Sequence, residues 1–207
     1  MGELFDEISA CKGYDNCFGK AAGDIKPIVF RMDPTMRIMV VTEQPKAERR
    51  KGSKESLKEA FQVKKSVPYR LKHLLGDSFQ TSVESESGIF YWTHYIKCPG
   101  EFRRKKCKMD ACADAHLKRE MEFIKPSLII CVGGRSSSWV LNKFYRNEKD
   151  WREVLWRQIF GNITEIKLAG SVTKLFFLFH PSERSGIGWF IDKKLKNSLQ
   201  KLIGGIS

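Results

Sequence analysis

No segment of this 207-residue chain approaches the ~18–20 consecutive apolar residues that a membrane span requires, so a transmembrane helix is not expected. Its first residues, Met1-Gly-Glu-Leu-Phe-Asp, lack the basic-then-apolar layout of a signal peptide, and the expectation is an intracellular, cytoplasmic protein. Internal repeats and low-complexity linkers are absent, which favours one domain over residues 1–207. The Gly133-Gly134 turn is neither a Walker loop nor the full dinucleotide fingerprint. Acidic residues are scarce: 24 Asp+Glu face 37 Lys+Arg, a net charge of +13.

That surplus favours a polyanionic partner, because each phosphate neutralised releases counterions. It is also clustered. Lys46–Lys65 carries eight basic and three acidic residues, and Lys97–Lys108 six basic and one acidic. The second cluster, Arg103-Arg-Lys-Lys-Cys-Lys, follows Pro99-Gly100 and reads as a loop. A solvated basic surface is the bland alternative to nucleic-acid binding. Neither cluster has the apolar face of a membrane-surface helix.

Four short runs rich in Val, Ile and Phe read as buried strands: Arg37–Val41, Ile89–Trp92, Leu128–Val132 and Lys174–Phe179. Helical periodicity separates them, clearest over Asp110–Lys125 and also over Ser136–Phe144, Trp151–Ile159 and Trp189–Ile203. Lys54–Lys64 and Tyr69–Leu75 carry weaker versions. Alternation of this kind predicts a three-layer α/β/α domain around a four-stranded, mostly parallel sheet.

Ligands of such sheets bind beyond the carboxyl ends of the strands. The residues leaving the four strands are Thr42-Glu43-Gln44-Pro45, Thr93-His94-Tyr95, Gly133-Gly134-Arg135-Ser136 and His180-Pro181-Ser182. Two of only four histidines, a carboxylate and a glycine turn thus converge on one crevice. Glu43, His94 and His180 together predict an active site.

Six cysteines occur, at 11, 17, 98, 107, 112 and 131. Cys131 lies inside a predicted strand and reads as a small core residue. For the others, metal ligation is a better reading than disulfides inside a cell, and four thiolates suit an iron–sulfur cluster or zinc. Unligated thiols remain open on spacing alone.

Taken in order, these motifs resemble the iron–sulfur (family 4-like) branch of the uracil-DNA glycosylase superfamily. Val40-Val-Thr-Glu-Gln-Pro45 resembles that family's Gly-Glu-Ala-Pro-Gly motif. Thr93-His-Tyr-Ile-Lys-Cys98 resembles Thr-Asn-Val-Val-Lys-Cys. Ile124-Lys-Pro-Ser-Leu-Ile-Ile-Cys-Val-Gly-Gly134 resembles the strand and Gly-Ala turn that follow, and His180-Pro-Ser182 matches His-Pro-Ser. The resemblance implies a monomeric DNA glycosylase, associated with the nucleoid when bound, that hydrolyses the N-glycosidic bond of an everted deaminated base, uracil first. It implies a [4Fe–4S] cluster on Cys11, Cys17, Cys98 and Cys112, the last preferred to Cys107 as standing just before a helix.

It implies catalytic roles for Glu43 and His180, and base contacts from Gln44, His94 and Tyr69. DNA contacts are expected from Ser182, Arg184, Ile187, Arg103, Arg104 and Lys105, with Ile187 as a wedge between base steps. Three departures stand out. His94 replaces an asparagine, so the donor and acceptor no longer lie side by side and hypoxanthine or xanthine becomes an alternative base. Thr42 and Lys46 replace the glycines around Glu43-Gln44-Pro45, and Cys11 and Cys17 are spaced more widely than the family pair. A binding module without catalysis and a zinc-stabilised basic α/β protein are the alternatives from other classes.

Overall fold

The structure, a computed structural model, describes residues 2–11, 29–31, 33, 35–45, 54–64, 66–98, 106–145, 160–181 and 193–206. Three strands, β1 (Ile38–Thr42), β2 (Phe90–His94) and β3 (Leu128–Val132), are buried at every position. Apolar residues on both sides of each strand leave no face that tolerates water, so each must lie inside a parallel sheet covered twice. β5 (Ser171–Leu178) joins them, and the order is β2-β1-β3-β5-β4. β1 pairs in parallel with β2 and β3, and β3 in parallel with β5.

The four-stranded expectation is corrected by β4 (Ile163–Leu168), which runs antiparallel to β5 at the sheet edge. The sheet is therefore five-stranded and mixed. Ala169 and Gly170, at φ 48° and 85°, close the β4–β5 hairpin in the left-handed conformation such two-residue turns require. The charged residues Glu165 and Lys167 point to solvent from β4, which blunts the exposed edge.

Helices cover both faces. Met39, Val41, Tyr91, Ile129, Cys131 and Phe177 turn towards α1 (Gly2–Ser9), α5 and α6 (Gly134–Phe144). Here α5 comprises Lys106–Cys112, a π-helical turn at Ala113–Leu117 and Lys118–Ile124. Alternate residues of the same strands, Ile38, Val40, Trp92, Ile130, Phe176 and Leu178, turn towards α2 (Lys54–Gln62), α3 (Val67–Leu75), α4 (Asp77–Ser85) and α7 (Lys193–Gly204). Each such side chain contributes about 1.5–3 kcal/mol on burial. The period of two along each strand thus sorts the core into two layers.

Helix starts follow local chemistry. Ser66 caps α3 by accepting from the Tyr69 N–H, with Pro68 in the first turn where a missing N–H costs nothing. Two corrections concern the basic segment. Lys106, Cys107 and Lys108 are helical rather than loop, and Cys112 ends the first part of α5 instead of preceding it. The expected helix over Trp151–Ile159 lies outside the described residues, as does the start of the one over Trp189–Ile203.

Candidate active site

The chain passes from β1 to β2 on one side and then crosses to β3 on the other. The strand order therefore reverses between β1 and β3, and the crevice of a parallel sheet opens at such a point, beyond the carboxyl ends. Glu43 leaves β1 at that point. Arg135, in the first turn of α6 after β3, donates to Glu43 Oε1 at 2.8 Å, so the ion pair bridges the two strand ends. The carboxylate is 26% exposed and the guanidinium 49%. Arg135 also reaches Met109 Sδ on α5 at 3.6 Å.

Gly133 makes the turn from β3 into α6 at φ 101°. His180 packs beside this turn, its Cβ and Cδ2 within ordinary contact distance (3.5 and 3.7 Å) of where a Gly133 Cβ would stand, and it is the left-handed φ rather than space that calls for glycine. The Gly133 N–H donates to Leu178 O at 2.8 Å and fixes the approach of β5. Ser136 and Ser137 hydroxyls donate back to the Gly133 carbonyl at 3.1 and 2.8 Å, tightening the turn. Glu43, through Arg135, and His180, beside Gly133, both adjoin the segment 133–135. Their strands flank β3, which puts them about two strand spacings, or ~10 Å, apart at the backbone.

His180 itself is half-buried. The next residue, Pro181, offers its carbonyl to Arg70 Nη1 at 2.6 Å, and Arg70 Nε donates to Lys64 O at 3.4 Å. Arg70 stands on α3, so that helix anchors the chain leaving β5. Replacing Arg70 by methionine is expected to cost about 1.5–3 kcal/mol, the value of a charge-assisted bond to a buried carbonyl. Urea unfolding checks it: a lower midpoint at unchanged slope is the predicted result.

His94 ends β2 and is 1% exposed. Its ring lies 5.3 Å from Trp92 and 6.1 Å from Phe30, and Phe30 stacks on Trp92 at 5.0 Å. Trp92 donates its indole N–H to Thr42 Oγ1 at 3.0 Å, tying this stack to β1. Tyr69, the expected base contact, is half-buried in the first turn of α3, and the rings described against His94 are Phe30 and Trp92. Gln44 is half-buried beside Glu43. The loop after β2 is laced to the first motif: the Tyr95 N–H donates to Thr42 O at 2.8 Å and the Ile96 N–H to Glu43 O at 3.0 Å.

Lys97 was counted with the surface charge, and that is corrected. It is 0% exposed and pairs at 2.6 Å with Glu120 of α5, also 0% exposed. Arg70, Arg135 and Phe30 were given no role by the sequence; each acts across elements distant in the chain, and nothing in local spacing marks them.

Of the predicted metal ligands, Cys11 is half-buried after α1, while Cys98 and Cys112 are buried. Cys11 Sγ lies 3.3 Å from His116 Nε2. Burial, and then the positive charges of Lys97 and Arg119, push the His116 imidazole down to about 4, so it is neutral near pH 7. Among the described residues, no three Cys, His, Asp or Glu side chains gather closely enough to hold a metal ion. Cys131 is buried in β3 as expected, and burial pushes its thiol well up. Cys17, Arg103, Arg104, Lys105, Ser182, Arg184 and Ile187 lie outside the described residues.

The profile of the Uracil DNA glycosylase superfamily matches residues 30–201, from Phe30 into α7. The chain belongs to the uracil DNA glycosylase superfamily. The match takes in all five strands and Glu43, His94 and His180. A curated relative, the type-4 uracil-DNA glycosylase of Archaeoglobus fulgidus, is 26% identical over 94 residues, which is 44% of this chain and 44% of that protein. The aligned part thus spans less than half of the relative. Among the described residues no helix is long and apolar enough to cross a membrane.

Proposed function

We propose that this superfamily member is a monofunctional DNA glycosylase that hydrolyses the N-glycosidic bond of an everted deaminated base, with uracil as the leading substrate, in base excision repair. The observation that carries the reading is the position of Glu43, His94 and His180 at the carboxyl ends of adjoining parallel strands, with Glu43 paired to Arg135 and His180 packed beside Gly133 of the same turn.

An enzyme of this kind takes the nucleotide out of the stack before breaking its bond. As the bond lengthens, positive charge builds on the sugar and negative charge on the base, which takes the bonding pair; water adds to the sugar carbon, and the proton it loses is balanced, through solvent, by the one the departed base takes up. Glu43 faces the sugar, where its carboxylate stabilises the cation and orients the water. His180 donates to the base oxygen that gains charge. Backbone N–H groups around Gln44 face the base, and His94 reads its edge between Phe30 and the strand. Tyr69 stays a further candidate for a stacking contact. Ser182, Arg184 and Ile187 contact and wedge the duplex, and Arg103, Arg104 and Lys105 neutralise phosphate.

Arg135 keeps Glu43 aimed. Arg135→Ala is expected to lower base release about tenfold through misplacement of the carboxylate. Its effect on stability stays under about 1 kcal/mol, because the pair is half in water. Single-turnover rates and a thermal melt on the same sample separate the two.

The resemblance also implies a [4Fe–4S] cluster on Cys11, Cys17, Cys98 and Cys112. Thiols from separate elements are the donor chemistry such a cluster takes, but Cys11, Cys98 and Cys112 as described do not gather closely enough to hold one, so the described geometry does not fit it. Hydrolysis transfers no electrons, and no step is assigned to a cluster. A brown anaerobic preparation containing iron and acid-labile sulfide supports it; a colourless one containing zinc favours a zinc-held fold.

A second reading rests on His94. An imidazole presents its two nitrogens on opposite sides of the ring, whereas uracil shows an alternating edge, so hypoxanthine or xanthine as substrate, or lesion binding without turnover, is the alternative. Duplexes with a single uracil, hypoxanthine or xanthine, incubated and then treated with alkali, decide among these. Strand scission at uracil is the expected result; tight binding without scission at any base supports the non-catalytic reading.

A further inference from the structure

We infer that the buried Lys97–Glu120 pair is a positioning device that sets the height and angle of His94 and so tunes which base is accepted. The inference rests on the reading of His94 as a base contact. Lys97 lies three residues beyond His94, and its side chain folds back under the strand it has just left. All three ammonium protons are placed: Nζ donates to Thr93 Oγ1 at 2.6 Å, to the His94 carbonyl at 2.8 Å and to Glu120 Oε2 at 2.6 Å. Glu120 is bonded through both oxygens. Its Oε2 accepts from the Thr93 hydroxyl at 2.8 Å and its Oε1 from the Tyr91 phenol at 3.1 Å. Burial, and then the neighbouring Glu120 charge, push the Tyr91 phenol well up, so it stays a donor.

Two charges with no exposure are costly to desolvate, and a packed apolar pair fills such a space at less cost. A satisfied network does something an apolar pair does not: it fixes direction. Here it pins the peptide at the end of β2 to α5, on the face of the sheet opposite to the His94 ring. Phe30 and Trp92 bound that ring on its own face, and the backbone anchor fixes the peptide from which it projects. The same loop bonds to Thr42 and Glu43 carbonyls through Tyr95 and Ile96, so the anchor also registers the His94 loop against Glu43.

The test uses the full chain in two forms. Lys97→Met with Glu120→Gln removes both charges while leaving amide partners for the Tyr91 and Thr93 hydroxyls. Glu120→Gln alone is the milder change. Each is read by far-UV circular dichroism, by kcat and KM on uracil and hypoxanthine duplexes, and by the nitrogen resonances of the His94 ring in the free protein.

The expected result is a folded protein whose uracil-to-hypoxanthine ratio of kcat/KM shifts by about tenfold, with the His94 resonances moved or broadened. A folded variant with the wild-type ratio and unmoved His94 resonances overturns the inference. If both forms unfold, Thr93→Val, which deletes one hydroxyl of the network, carries the same two readings. His94→Ala is the control. A ratio altered by it but not by the pair variants overturns the positioning role alone. Absence of base release from the wild type overturns the glycosylase reading, and the resonances still decide whether the pair holds the ring.

Discussion

Glu43→Gln is expected to lower single-turnover release of uracil about 10²–10⁴-fold, the usual weight of a positioned carboxylate at a reacting centre. Glutamine keeps the size and an oxygen for Arg135 but removes the charge that opposes a cationic sugar. The loss therefore falls on the chemical step, while duplex binding holds within a few-fold. Stability should also hold, because an ion pair with side chains 26% and 49% exposed is worth about 0.2–1 kcal/mol. Quenched-flow or rapid-quench rates at saturating enzyme, beside binding isotherms, give both quantities. A variant that releases base at the wild-type rate removes Glu43 from the mechanism.

His180→Ala is expected to cost about 10²–10³-fold in the same step, the range for removing one preorganised donor to a developing anion. The effect should depend on the base. A leaving group that is already stable as an anion, such as a 5-fluorinated uracil, asks less of the donor, so the penalty for the alanine variant should shrink with it. For Glu43→Gln the penalty should change little, because the sugar is the same. A penalty for His180→Ala that does not vary with the leaving group removes its assigned contact with the base.

The legible part of the molecule was the part built from continuous apolar runs. Leu128–Val132 was bounded correctly because every one of its residues is buried, and a run of that kind has only one place in a sheet. Ile163–Leu168 was passed over for the opposite reason: as an edge strand it interleaves Thr164, Glu165 and Lys167 with its apolar residues, and half of the signal is polar. Asp77–Ser85 was missed because a helix that buries little beyond Phe79 and Val83 carries a thin stripe among Ser, Thr and Gln. The candidate site was legible to the extent that its residues stand at or just beyond strand ends, as Glu43, His94 and His180 do. Arg135 on Glu43, Arg70 on Pro181 and Glu120 on Lys97 are contacts between elements 23 to 111 residues apart. Charge counting also misplaced Lys97, since composition does not distinguish a solvated lysine from one paired at depth.

The most direct test of the central claim is a crystal structure of the protein on a duplex that carries a cationic azasugar at one position, with free uracil added. The account predicts a Glu43 carboxylate oxygen within about 3 Å of the azasugar nitrogen and a His180 ring nitrogen within about 3 Å of a uracil oxygen, in one cavity at the β1–β3 crevice. Glu43 and His180 found on opposite sides of the bound nucleotide's cavity wall, or the everted base seated away from both, would contradict it.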